Sequence, residues 1–239
     1  MGFSWIATAS GYTEGTVSTL DCSAALNVAA GDLLVAFVAW EDTSRTITSI
    51  QATTGNANTM TLLAVSNNTD NYGAFGYKLS ADVNGTATFR LTLSGTAPFV
   101  FMAVMQFRPD VGDTISLDTG PGAGSGSAGE GGTVQSGNIT TTGTDEVTCG
   151  GVKSYRYCNI GTEQIADATA DGSIDVGSGA ANYLLGMWYK FFTATQSNIH
   201  AQAILTTVFN PPSTWICDIC SFKSVAAAGG GTLLLLRKS

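Results

Sequence analysis

The chain has 239 residues, of which 44% are apolar and only 12% charged, with 29 glycines, 5 prolines and a formal net charge of −8. Apolar content of this size can fill a core, while charge at about half the usual share of roughly 25% leaves Thr, Ser and Gly to make strand faces and tight turns. The acidic balance excludes a nucleic-acid groove, which needs clustered Lys and Arg to displace counterions, and sets the chain against anionic membrane surfaces.

In chain order, residues 16–20 and 25–28 are the first two predicted strands, the second ended by Ala29, Ala30, Gly31 and Asp32. Residues 33–40 (LLVAFVAW) are almost wholly apolar, the pattern of a strand covered on both faces. Residues 46–50 and 60–65 alternate, with turn chemistry at Gly55-Asn56 and at 67–71. A strand over 72–79 leads through Asp82-Val83-Asn84-Gly85, a hairpin turn with Asn-Gly at its tip, into 86–93 (TATFRLTL). There Ala87, Phe89, Leu91 and Leu93 share one face, as in a half-buried antiparallel strand. The apolar run 99–107 closes this part of the chain.

Residues 108–132 read as a bridge. Arg108-Pro109-Asp110 stops the strand, 114–117 is a short extended piece, and 120–132 (GPGAGSGSAGEGG) has the composition of a flexible surface loop. Its glycines lack the strand-then-helix context and the lysine of a phosphate loop. Further strands are predicted at 136–141, 147–155, 162–168, 181–192, 199–208 and 215–222. No amphipathic helix of useful length is visible.

The chain makes one move twice. Residues 71–107 and 182–222 each open on Asn-Tyr and reach Tyr-Lys, at Tyr77-Lys78 and Tyr189-Lys190. Each then crosses a polar turn, runs an alternating strand, turns at a proline-containing segment and closes on an apolar strand ending in Phe. Asp32 stands about as far ahead of Tyr72 as Asp145 stands ahead of Tyr183. The expected fold is an all-β antiparallel sandwich, jelly-roll-like, made of two similar halves (1–112 and 113–224) packed face to face in one domain.

Residues 225–239 form a separate tail, in which a small-residue spacer leads to Thr232, Leu233, Leu234, Leu235 and Leu236. Five residues cannot cross a bilayer. Leucines left in water cost roughly 1.5–3 kcal/mol each relative to burial, so this run is expected to dock on its own sandwich or to add a strand to a neighbour. The N-terminus MGFSWIATASGYTEG has neither the basic start nor the apolar run of a secretory signal, and no transmembrane segment is expected.

Residues able to carry chemistry are scattered. Of the 5 cysteines, Cys217 and Cys220 form a CxxC. Within a strand their offset sends them to opposite faces with Cα atoms about 10 Å apart, beyond the roughly 7 Å reach of a disulfide. Cys149 and Cys158 are left open as a pair, and buried free thiols are the expectation. His200 is the lone histidine, too few ligands for structural zinc and without a nucleophile motif such as GxSxG. The acids form no readable glycosidase pair. No catalytic residue, cofactor or metal is expected, and the chain reads as a non-enzyme. Asp167, Asp171, Gly172 and Asp175 are oxygen-rich but do not follow the EF-hand pattern, and read as a turn. Aromatic clusters, with Tyr183, Trp188, Tyr189, Phe191 and Phe192 in one strand and Tyr155 and Tyr157 in another, give the best hint of binding. Such side chains fill sandwich cores or, when exposed, stack on sugars. Trp188 and Tyr189 are the candidate glycan-stacking residues.

The order GDLLVAFVAW, YGAFGYKLSADVNGTATFRLTLSGTAPFVFMAVMQFRPD, SGNITTTGTDEVTCGGVKSY, WICDICSF resembles two-half jelly-roll or lectin-like β-sandwich modules of bacteriophage and prophage virion proteins and of bacterial surface proteins. The resemblance covers residues 3 to about 223 and lies in strand pattern, not in catalytic motifs. It implies a non-enzymatic surface module, and the lack of a signal peptide weights the phage side. The implied role is a virion structural protein, a capsid decoration (cement) protein or related head or tail surface component, assembled in the host cytoplasm and carried on the virion surface. Its partners would be the major capsid protein or tail proteins and further copies of itself, a trimer on symmetry grounds, with no nucleic acid and no membrane. The alternative is a carbohydrate-binding or host-receptor-binding module.

Overall fold

The computed structural model describes residues 2–42, 44–54, 58–82, 84–154, 158–177, 184–208 and 213–226. The first half holds β1 (Phe3–Thr13), β2 (Val17–Asp21), β3 (Leu26–Val28), β4 (Leu33–Trp40), β5 (Ile47–Ala52), β6 (Thr61–Leu62), β7 (Ser66–Asn67), β8 (Tyr72–Lys78), β9 (Gly85–Ala87), β10 (Phe89–Ala97) and β11 (Val100–Pro109). The second holds β12 (Thr114–Ala128), β13 (Thr133–Gln135), β14 (Glu146–Ser154), β15 (Cys158–Ile165), β16 (Ala168–Thr169), β17 (Gly172–Val176), β18 (Leu184–Phe192), β19 (Ala201–Val208) and β20 (Ser213–Val225). The pairings among them are antiparallel. The protein is all-β, and no helix among the described residues is long and apolar enough to cross a membrane.

The apolar runs decide how the sheets stack. β4 is buried at every position, so its two faces must both be covered. It sits at the middle of the sheet β1-β11-β4-β8-β6. Leu34, Ala36, Val38 and Trp40 point into a core shared with the smaller sheet β2-β10-β5, which contributes Leu20, Ile50, Phe89 and Leu91. Leu33, Val35, Phe37 and Ala39 point the other way. The second half repeats the plan, with β12-β20-β14-β18-β17 packed on β13-β19-β15-β16 around Val152, Trp188, Ile219, Ala203 and Leu205. The two larger sheets then pack on each other through a third core, where Phe37, Phe75, Phe101 and Phe107 meet Cys149, Leu185, Met187 and Phe222. The result is four layers and three cores: each half is itself a sandwich, and the central core joins them.

Aromatic rings dominate that junction. Tyr77 meets Phe222 at 5.4 Å and Phe107 meets Tyr189 at 5.1 Å between ring centres, distances at which offset and edge-on pairs add to area burial. Gly151 lets the sheets close, since a Cβ there would lie 2.5 Å from the Phe37 ring. Polar side chains pin the register across the halves. The buried Lys153 Nζ reaches Glu41 at 3.2 Å and Asn71 at 3.3 Å and lies 5.1 Å from the Phe101 ring centre. Asn68 Nδ2 donates to the Trp215 carbonyl at 2.9 Å, and Ser66 Oγ donates to Asp218 Oδ1 at 2.5 Å.

The sequence repeat is a structural repeat. Tyr77 pairs with Val35 and Tyr189 with Cys149; Val35 is flanked on its other side by Met105, and Cys149 by Cys220. Phe107 pairs with Leu33 and Phe222 with Val147. Each repeated residue therefore occupies the same place in its sheet.

Several sequence expectations are corrected. β1 lies where no strand was predicted, because its mixed, half-exposed residues match no single period. The presumed loop 120–132 is for the most part strand: β12 runs through Ala128 and pairs along β20. Its glycines at 122, 124 and 126 recur with strand period, and each faces something that leaves no room for a side chain: the Gly137 carbonyl, the Gln135 carbonyl and the Trp215 ring. The stretch 86–93 divides at Thr88 into β9, paired to β3, and β10, paired to β2 and β5. Residues 172–175, expected as part of a turn, lie in β17 (Gly172–Val176), which pairs with β18. Cys217 and Cys220 do face opposite cores, and Cys149 is a free buried thiol.

Candidate functional site: the seam between two edge strands

Where the larger sheets stack, an edge strand of each runs along one side of the molecule: β1 from the first half and β17 from the second. Trp5 lies at one end of this seam. It is 47% exposed and lines a recess of about 330 Å³ with Thr8, Met105, Asp171, Ser173 and Tyr189. Farther along, Tyr12 is 42% exposed and lines a second recess of about 280 Å³ with Ser10, Asp21, Ser23 and Asp175. Apolar rings thus stand beside the hydroxyls of Thr8 and Ser10, with the Asp171 carboxylate at the Trp5 end, the mixture that orients a ligand while covering its apolar faces.

The local chemistry holds these groups in place. Asp171 Oδ2 accepts from the Phe191 amide at 2.7 Å, and its Oδ1 lies 3.4 Å from Lys190 Nζ. Asp21 takes a two-pronged bond from Arg90 at 2.6 and 2.7 Å, and that hydrogen bond holds its carboxyl below the usual range. Ser23 Oγ donates to the Ser10 carbonyl at 2.9 Å. Tyr12 lies nearly parallel to Phe101, 6.2 Å away and 13° inclined.

The predicted site residues are placed differently. Trp188 is 0% exposed; its indole lies over Gly150 in the second-half core and donates to the Gln164 carbonyl at 3.1 Å. It is core, with no face open to a sugar. Tyr189, one position on and therefore on the opposite face, is 6% exposed and reaches the seam recess with its edge while packing on Phe107 and Phe191. Thr232, Leu233, Leu234, Leu235 and Leu236 lie outside the described residues, as do Tyr155, Tyr157 and Tyr183. His200 lies 3.4 Å from Asp167. Asp167 lies beside His200 and Gln202, Asp171 bonds Lys190 and the Phe191 amide, and no cluster of His, Cys, Asp or Glu fit to hold a metal ion occurs among the described residues. Trp5 and Tyr12 carried no signal in the sequence because β1 itself was not recognised.

Two buried acids lie apart from the seam. Asp218 is fully buried on β20; burial pushes its carboxyl up to about 7 against the Ser66 hydrogen bond, and its Oδ2 has no hydrogen-bond partner among the described residues. Glu146, likewise buried, is pushed up to about 7 by loss of solvent. Beside it, burial raises Asp118, but bonds from Lys223 at 2.8 Å and Thr142 at 2.6 Å outweigh it and bring that carboxyl to about 2. These groups are enclosed in the fold rather than presented to a ligand.

Comparison of the chain with protein-family models, with curated proteins and with solved structures returned no match.

Proposed function

We propose that this chain is a non-enzymatic surface module of a bacteriophage virion that recognises carbohydrate at the β1–β17 seam. The observation that carries the sugar reading is Trp5: a large aromatic, half in water, held on a paired strand beside hydroxyl and carboxylate acceptors. An indole held this way offers a stacking surface that the apolar face of a pyranose ring can cover while the flanking acceptors take the sugar hydroxyls. The phage setting rests on the resemblance of strand pattern alone. The run Thr232–Leu236, to which the decoration role assigned docking, lies outside the described residues and favours neither role; Trp5 is what favours receptor recognition.

The test is an array of neutral and acidic glycans probed with the whole chain, alongside the Trp5→Ala variant. Saturable binding lost in Trp5→Ala supports the reading. A blank array, or binding that survives the substitution, overturns it.

A further inference from the structure

We infer that the seam takes a linear, neutral polysaccharide lying along β1, with Trp5 and Tyr12 as two separate stacking subsites. This rests on the sugar reading above and deepens it. Trp5 and Tyr12 are seven positions apart, an odd offset that sends two side chains to opposite faces of an unbroken strand. β1 is not unbroken. Its register against β11 shifts between Trp5 and Ala7, so that Trp5 pairs with Phe107 while Tyr12 pairs with Phe101. Phe107 and Phe101 both face the central core, and their partners share that side. One bulged residue, Ile6, thus brings both aromatics onto the seam, the re-aiming of a side chain that edge bulges accomplish. Deleting that shift from the pairing would leave one ring on the seam and turn the other toward the opposite face.

The two subsites are aligned and spaced. Their partners are six residues apart on β11, which sets the rings roughly 20 Å apart, room for several sugar rings in a row. Thr8 and Ser10 lie between them on β1, paired with Met105 and Ala103 on the central-core side, and contribute hydroxyls, with Asp171 at the Trp5 end. Acceptors of this kind suit the hydroxyls of a neutral chain, and a net charge of −8 sets the protein against a polyanion.

The scaffold does not require these aromatics. By register, the second-half position matching Trp5 is Leu117, opposite Phe222, and that matching Tyr12 is Ser125, opposite Ile216. Leu117 is tucked against the central core. The corresponding seam, between β12 and β7, is lined by Val65, Asn67, Pro121 and Ser125 and carries no aromatic ring. One copy of the repeat folds without them, so rings in the other copy answer to something outside the fold.

Titration calorimetry with linear β-1,4-linked oligomers of glucose and of N-acetylglucosamine, from disaccharide to hexasaccharide, tests the inference on the whole chain, Trp5→Ala and Tyr12→Ala. Both side chains are about half exposed, and unfolding midpoints confirm that the variants fold. Affinity should rise with chain length. Tyr12→Ala should weaken the hexasaccharide about tenfold and leave the disaccharide unchanged, while Trp5→Ala weakens both. Length-independent affinity, or a hexasaccharide indifferent to Tyr12→Ala, overturns the two-subsite inference and leaves sugar recognition at Trp5 standing. No binding to any oligomer by the whole chain overturns the sugar reading itself, as does binding of a proline-rich peptide that Trp5→Ala abolishes.

Discussion

Asp218→Asn should change how stability depends on pH more than it changes stability itself. The carboxyl is fully buried on β20, one oxygen bonded to Ser66 and the other without a partner among the described residues. Burial raises it from 3.8 to about 7. Between those values the folded chain holds a proton that the unfolded chain has released, so stability is greatest at the acid end of the window and falls as pH rises toward 7. From pH 5 to pH 8 this one group removes on the order of 2–3 kcal/mol, or about 5–10 °C of midpoint in a chain of this size. Glu146, raised to about 7, acts with the same sign, whereas Asp118, lowered to about 2, titrates below this range. The wild-type slope alone therefore does not isolate Asp218. Urea unfolding of wild type and variant at pH 5, 6, 7 and 8, followed by tryptophan fluorescence, does. Whatever the amide costs is independent of pH, so the gap between the two proteins should move in favour of the variant by 2–3 kcal/mol across the series. Parallel curves would refute the assignment of a buried, protonated acid.

Two further substitutions probe the junction of the halves. Gly151→Ala places a methyl 2.5 Å from the Phe37 ring and should destabilise by roughly 1–3 kcal/mol in denaturant unfolding, as overpacking does; no loss would mean the sheets lie farther apart there. Lys153→Met removes a buried cation 3.2 Å from Glu41 and should destabilise by about 3 kcal/mol, with Glu41→Gln in the same chain restoring part of it, measured by thermal unfolding of the single and double variants.

The layers were legible where sequence pattern and burial agree. LLVAFVAW has the pattern of a strand wet on neither side, and β4 is that. The repeated Tyr-Lys and closing Phe marked equivalent strands, and register bears this out at Tyr77 and Tyr189. Legibility failed where backbone, not side chain, makes the contact. β12 has glycines where a crossing carbonyl presses, so a strand took on the composition of a linker. The seam was hidden for another reason: β1 and β17 come together only through sheet stacking, and the bulge that aligns Trp5 with Tyr12 leaves no mark in residue type. Trp188 and Tyr189 show the same limit in miniature, adjacent aromatics of which one is core and the other reaches the seam.

The repeat also makes a paired prediction that tests the architecture as a whole. Gly11 sits opposite Met102 on β11, and Gly124 sits opposite Cys217 on β20. Measured from the matching residues Phe107 and Phe222, these are the same position. At both, a Cβ would strike a backbone carbonyl at the end of the next strand of that half: Asp21 on β2 for Gly11, Gln135 on β13 for Gly124. A carbonyl cannot rotate aside as a side chain can, so relief demands that the crossing strand move. Gly11→Ala and Gly124→Ala should each destabilise by roughly 1–3 kcal/mol in urea, and by similar amounts. A flexible linker at 120–132 would instead accept alanine with a slight gain from a stiffer unfolded chain. A cost at Gly11 without one at Gly124 would therefore separate the halves, and with them the inference that Leu117 and Ser125 report what the seam positions look like when no ligand is to be held.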